Sequence, residues 1–237
     1  MVHEALGHGV ASWLVNDPIL SLSTVALQNA SNSRVVSAAG TIANSIVGAL
    51  SLVVLGRAKV FNAAAYFLWL FGAFNLFNSG YLIYSAIANG GDWANVVSGV
   101  NPPIFWRTLL ALVGGALYVF TVHWLRKCIL TFVATGEVSL RDLRRLTVPA
   151  YLAAGALMTA ASCFNPISRS LILVSGVAAS FGLNAGLLFL PALVDNPAPR
   201  QPEPLSAIAF SPFWTMLAIV VAGAFVCVLG PGIRLSH

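Results

Sequence analysis

Long apolar runs separated by short polar gaps constrain this chain more than any other feature. Only 8% of its 237 residues are charged and 58% are hydrophobic. A soluble domain carries about a quarter charged residues, and a water-facing surface cannot be built from so few. Most of the surface must therefore face lipid. A spanning helix needs roughly 20 mostly apolar residues, which gives room for about six or seven. The expected fold class is an all-α integral membrane protein, a polytopic helical bundle of about six or seven transmembrane segments.

The runs map onto seven segments. They are Met1 to Val15, Val35 to Leu55, Phe61 to Ala86, Ile104 to Leu125, Thr147 to Phe164, Ser168 to Val194 and Phe213 to Leu229. Asp17-Pro18 ends the first, which is short for a span. Residues Ile19 to Gln28 alternate loosely and read as an extended or interfacial stretch. Asp195 to Pro204 is proline-rich and polar, a loop. No basic leader precedes the first run, so no cleavable signal peptide is expected. A motif lies almost at Met1, so either the first helix is short or residues are missing upstream.

The net charge of +5 does not point to nucleic acid, because the basic residues lie in gaps between apolar runs rather than in a stripe with aromatics. In such gaps positive charge orients helices. With alternating segments, one side holds Arg57, Lys59, Arg126, Lys127, Arg141, Arg144, Arg145 and Arg200. The other holds Arg34, Arg107, Arg169 and Arg234. The first side is assigned to the cytoplasm, and a multi-pass protein of a prokaryotic plasma membrane is the expected setting. Cys128, Cys163 and Cys227 are far apart and read as small apolar packing residues, not a disulfide framework.

Two histidines and a glutamate inside an apolar segment are expensive in lipid and mark a candidate site. His3-Glu4-Ala5-Leu6-Gly7-His8 has the composition of a zinc-protease turn. In H-E-x-x-H the histidines share one helix face, and the glutamate serves as base for the metal-bound water. Here they are five apart, about 140° out of register on a regular helix. A single π-bulge restores the register, and Gly7 eases it. The blander reading is that His3 and His8 make polar contacts at a helix end. Glu4 counts against that, since an unpaired buried carboxylate has no structural use. For a third ligand, Asp92 is the one carboxylate beside an apolar segment with glycines and a tryptophan around it. Three protein ligands plus water is the usual catalytic zinc set. Gly90-Gly91-Asp92 also reads as an ordinary turn.

The H-E-x-x-G-H spelling is similar to the zinc motif of dipeptidyl peptidase III, a soluble enzyme. The membrane context resembles the site-2 protease family of intramembrane zinc metalloproteases. Three stretches carry this: His3-Glu4-x-x-x-His8, Ala38-Ala39-Gly40-Thr41-Ile42-Ala43-Asn44 beside the family's Ala-Gly-Pro-x-x-Asn, and Asn75-Leu76-Phe77-Asn78 followed by Gly91-Asp92. The first motif has one extra residue, Thr41 stands where proline is usual, and Asp92 follows its glycine and lies further from Asn75 than in the family pattern. The resemblance covers roughly residues 1–100 and implies a metalloprotease core there, with residues 101–237 as accessory helices of one structural unit. It implies a Zn2+ ion held by His3, His8 and Asp92, and Glu4 as catalytic base. The substrates it implies are transmembrane segments of membrane proteins. Asn44 and Asn75 are candidates for orienting substrate or ligands. Asn44 also reads as an interhelical bond beside the small residues Ala39, Gly40, Ala43 and Gly48, which favour close helix packing. The alternatives from sequence are a non-catalytic polytopic membrane protein, transporter-like or chaperone-like, that retains the fold, and a zinc hydrolase acting on lipid or another small molecule.

Overall fold

A computed structural model describes residues 1–31, 33–194 and 211–235, so the expected loop Asp195 to Pro204 lies outside the described residues. Helices dominate. The chain opens with a π-helix, Val2–Gly9, which runs on into α1 (Val10–Leu14). Asn16 adopts a left-handed conformation (φ 52°), and the following Asp17-Pro18 prevents further helix. The loosely alternating stretch then forms a hairpin of β1 (Ile19–Leu22) and β2 (Leu27–Asn29). The Asp17 carboxylate ties its base, accepting from Asn29 Nδ2 and from the Ser31 amide and hydroxyl. The two-residue β3 (Ile233–Arg234) pairs with the other side of β1, giving an antiparallel sheet of order β2-β1-β3. This small sheet is an addition to the all-α expectation. Its hairpin falls in the stretch whose loose alternation reads as extended or interfacial, while the pairing with β3 joins positions too far apart for local patterning to reveal.

The centre of the fold is α2 (Arg34–Leu55). Its small residues let neighbours approach closely, as expected for helices packed in lipid. A Cβ on Gly7 would lie 2.5 Å from Gly40 Cα, so the π-helix crosses α2 nearly backbone to backbone. Further along α2, Gly48 faces Gly72 of α3 (Ala63–Leu76), where a Cβ would meet Leu52 at 2.6 Å. A 3-10 turn at Phe77–Ser79 separates α3 from α4 (Gly80–Ala88), and α5 (Asp92–Val97) follows. Then come α6 (Pro103–Ala134), α7 (Leu140–Ser162), a π-helix at Ile172–Leu183, α8 (Gly186–Leu193), α9 (Pro212–Ala224) and a short π-helix at Phe225–Leu229. Trp69, Phe61, Phe77, Leu125, Ile129 and Leu187 fill the main core, and the Trp69 indole donates to the Leu125 carbonyl (3.2 Å).

Among the described residues, four helical stretches are long and apolar enough to cross a membrane: Arg34–Leu55, Pro103–Ala134, Ile172–Leu193 and Pro212–Leu229. That is fewer than the six or seven segments expected. In the first segment, helix runs from Val2 to Leu14 and includes the π-helix. The third is interrupted at Phe77–Ser79. The fifth, α7, carries Arg141, Asp142, Arg144 and Arg145 in its first two turns.

Candidate metal centre

The π-helix supplies the geometry that His3 and His8 need. Its hydrogen bonds run from i to i+5, so residues five apart stack. The two imidazole centroids are 4.6 Å apart with ring planes at 87°. The distortion extends over the whole of Val2–Gly9 rather than one bulge. Gly7 matters through the missing Cβ, which allows contact with Gly40, more than through conformational ease.

Asp92 reaches the same point from the far end of the α4–α5 connection. Asn89 (φ 52°) terminates α4 in a left-handed conformation, and Gly91 (φ 79°) turns the chain into α5. A side chain at Gly91 would be strained, and its Cβ would lie 2.5 Å from the Tyr81 hydroxyl. Asp92 Oδ2 then sits 2.9 Å from His3 Nε2 and 3.3 Å from His8 Nε2. Neighbouring ligands around a tetrahedral zinc at ordinary bond lengths are about 3.3 Å apart, and both Asp92–histidine separations are close to that. Burial pushes the Asp92 carboxyl up, but the hydrogen bonds and charge of His3 and His8 outweigh it and hold the group well below the usual carboxylate range.

Each imidazole is oriented by its other nitrogen, as metal-binding histidines generally are. His8 Nδ1–H donates to the Val36 carbonyl (2.6 Å), which turns Nε2 toward Asp92. The Asn44 amide lies 3.3 Å from His3 Nδ1 through its Nδ2. Rotating that amide by 180° presents Oδ1 instead, the acceptor needed by a His3 that ligates through Nε2. Gly40 makes room for the His3 ring, since a Cβ there would stand 2.6 Å from ring atoms.

Glu4 accepts the Leu27 amide of β2 through Oε2 (2.7 Å). One donor atom each from His3, Glu4 and His8 lies within 4.8 Å of the others. Asp92 Oδ2 contacts both imidazoles and Glu4 clusters with the same pair, so each carboxylate is a candidate to complete a set with the two histidines. Asn75 is not part of this cluster. It is buried at the α2–α3 contact, 3.1 Å from where a Gly48 Cβ would be, and its amide donates to Phe71 O (2.7 Å) on its own helix.

Several contributors were not singled out from sequence. Thr41, at the position where the family pattern has proline, accepts a hydrogen bond from Trp93 Nε1 (3.0 Å), one residue from Asp92. One turn earlier on α2, Ser37 Oγ accepts from Asn95 Nδ2 (2.7 Å). These two bonds strap α5 along α2 and set the reach of Asp92. Ser37 and Thr41 are four apart on one helix face, a spacing that offers a weak signal in hindsight. A cavity of about 320 Å³ opens over the cluster. Asn78 and Thr24 line it, and Asn78 Oδ1 and Thr24 Oγ1 are buried without a hydrogen-bond partner. Met158, Leu171, Ser175 and Leu183 form its far wall, so α7 and Ile172–Leu183 complete the site rather than merely supporting it.

Thr41→Val keeps the shape and removes the acceptor, leaving the Trp93 N–H unpaired at a cost of about 1–3 kcal/mol. The expected outcome is a roughly 10-fold weaker zinc affinity in a chelator competition, with Thr41→Ser restoring it.

No protein-family model, curated protein or solved structure matches this chain.

Proposed function

We propose that the chain is a zinc-dependent intramembrane protease of the site-2 type, a polytopic bundle that hydrolyses peptide bonds of membrane-protein segments. The contacts of Asp92 Oδ2 with His3 Nε2 (2.9 Å) and His8 Nε2 (3.3 Å), with the Glu4 carboxylate clustered on the same histidines, carry this reading. A zinc ion in such a set supplies Lewis acidity, polarising a carbonyl and making water acidic near neutral pH. Glu4, clustered with the histidines, would take a proton from an attacking water and deliver it to the leaving amine. Val36 and Asn44 keep the two Nε2 atoms turned toward Asp92. The unpartnered Thr24 and Asn78 atoms supply a hydroxyl and an amide oxygen on the cavity wall, matched to the carbonyl and N–H of an unwound peptide.

Two measurements on the purified full chain test this: metal content, and cleavage of a designed transmembrane substrate in proteoliposomes. About one zinc per chain and chelator-sensitive cleavage are expected. Asp92→Ala should weaken zinc binding by more than the ~10–100-fold that outer-shell partners are worth. A wild-type chain without affinity for zinc would sink the reading. Zinc bound without hydrolysis of any peptide would point to a non-catalytic relative.

A further inference from the structure

A groove of about 620 Å³ lies at the other end of α2. Its apolar walls are Leu52, Val53 and Leu55 of α2 and Phe120, Trp124 and Phe132 of α6. Its rim carries His123 and Lys127, and Gly56 and Ala58 line it on either side of Arg57, with Lys59 next in sequence. We infer that this groove binds a single anionic glycerophospholipid, its phosphate held by Lys127 and Arg57 and an acyl chain laid along Leu52 and Phe120. The inference does not depend on the protease reading.

Depth is the first argument. In α6 the stretch between Arg107 and Arg126 is free of charge, and 18 residues of helix measure about 27 Å, close to the hydrocarbon thickness. Lys127 therefore stands at one headgroup level. Phe120 lies seven residues before it, about 10 Å deeper. A cationic rim above an aromatic and aliphatic wall is the order of chemistry along a phospholipid. Trp124, between the two, sits where interfacial tryptophans gather.

Charge is the second argument. Arg57, Lys59 and Lys127 are exposed, and none has a side-chain hydrogen bond or ion pair among the described residues. Among the described residues, the acids at this end are engaged elsewhere. Glu137 accepts from the Phe61 amide and from Thr135, while Asp142 caps α7. Arg126 is occupied with the Leu193 carbonyl. His123 donates from Nδ1 to Val119 O (2.9 Å), which leaves Nε2 available to a headgroup. Long basic side chains can lie along the apolar walls and keep their charges at the surface. A neutral lipid or an apolar partner helix would leave these cations unmatched.

The test uses the full chain, stripped of lipid in mild detergent and incubated with equal phosphatidylglycerol and phosphatidylcholine. Retained lipid is counted by native mass spectrometry. Wild type should retain the anionic lipid over the zwitterionic one by roughly fivefold for each cation engaged. The double variant Arg57→Gln, Lys127→Gln should lose most of that preference, and its exposed positions leave the packing intact. Arg169→Gln, remote from the groove in sequence, should leave the preference unchanged. Val53→Trp, which fills the groove, should reduce retention of both lipids. Equal retention by wild type, or undiminished preference in the double variant, would overturn the assignment. So would complete displacement by inorganic phosphate alone, which would identify a soluble anion as the ligand.

Discussion

Glu4→Gln should lower cleavage of a transmembrane substrate by about 10²–10⁴-fold, the range for loss of a general base, while zinc content stays at the wild-type level. The substitution keeps length and shape. Its amide oxygen can still accept the Leu27 N–H that now binds Glu4 Oε2, so β2 and the π-helix should stay in register. Only the capacity to take a proton is removed. The two readouts separate two roles for this carboxylate, which stands close enough to both histidines to serve as a ligand itself. Loss of zinc along with activity would make Glu4 a ligand. Undiminished cleavage would place the base elsewhere and reject the proposed mechanism.

The second large effect is expected at a residue with no chemistry of its own. Gly40→Ala adds one methyl 2.6 Å from the His3 ring. The ring has little room to move, because its nitrogens face Asp92 and Asn44. On its other side, the Gly7 backbone approaches α2 too closely for the helices to slide without cost. Overpacking of this kind costs about 1–3 kcal/mol, and here it falls on a ligand. The expected result is a fall in zinc affinity of at least about 10-fold, comparable with losing an outer-shell partner, with the helical content retained. Gly115→Ala supplies the contrast. It lies in α6 with open space where the Cβ would go, and should be neutral or stabilising by up to about 1 kcal/mol. Equal zinc affinity in Gly40→Ala and wild type would show that the His3 position is not set by this contact.

These two predictions differ in how far the sequence alone could have reached them. Glu4 announces itself, since a carboxylate beside two histidines in an apolar run has few other uses. Gly40 was visible as a small residue suited to close packing, but its neighbour was not. The same limit applies across the site. The five-residue spacing of His3 and His8 already demanded a π-type turn, because helical register is a local property. Asp92 stood out because carboxylates are so scarce in this chain. Thr41 and Trp93 carried no such mark, and their bond depends on how α5 lies along α2. Asn75 resembled a family element, yet its amide turns back to its own helix.

By itself, then, the sequence determined that this chain is helical and apolar enough for a membrane, and which residues hold its scarce chemistry. Charge scarcity, run length and residue spacing are all local, and each survives whatever the helices do afterwards. The tertiary structure alone decided which of the runs are long unbroken helices, four of them among the described residues by length and composition. It also decided that β3 returns to the opening hairpin, and that Met158, Ser175 and Leu183 wall the cavity over His3 and His8. Those contacts join positions more than a hundred residues apart. Periodicity says which face of a helix is apolar, but in lipid every face can be apolar, so it cannot say which faces meet. Close packing of small residues and a few buried hydrogen bonds make that choice, and they appear only when the helices are placed together.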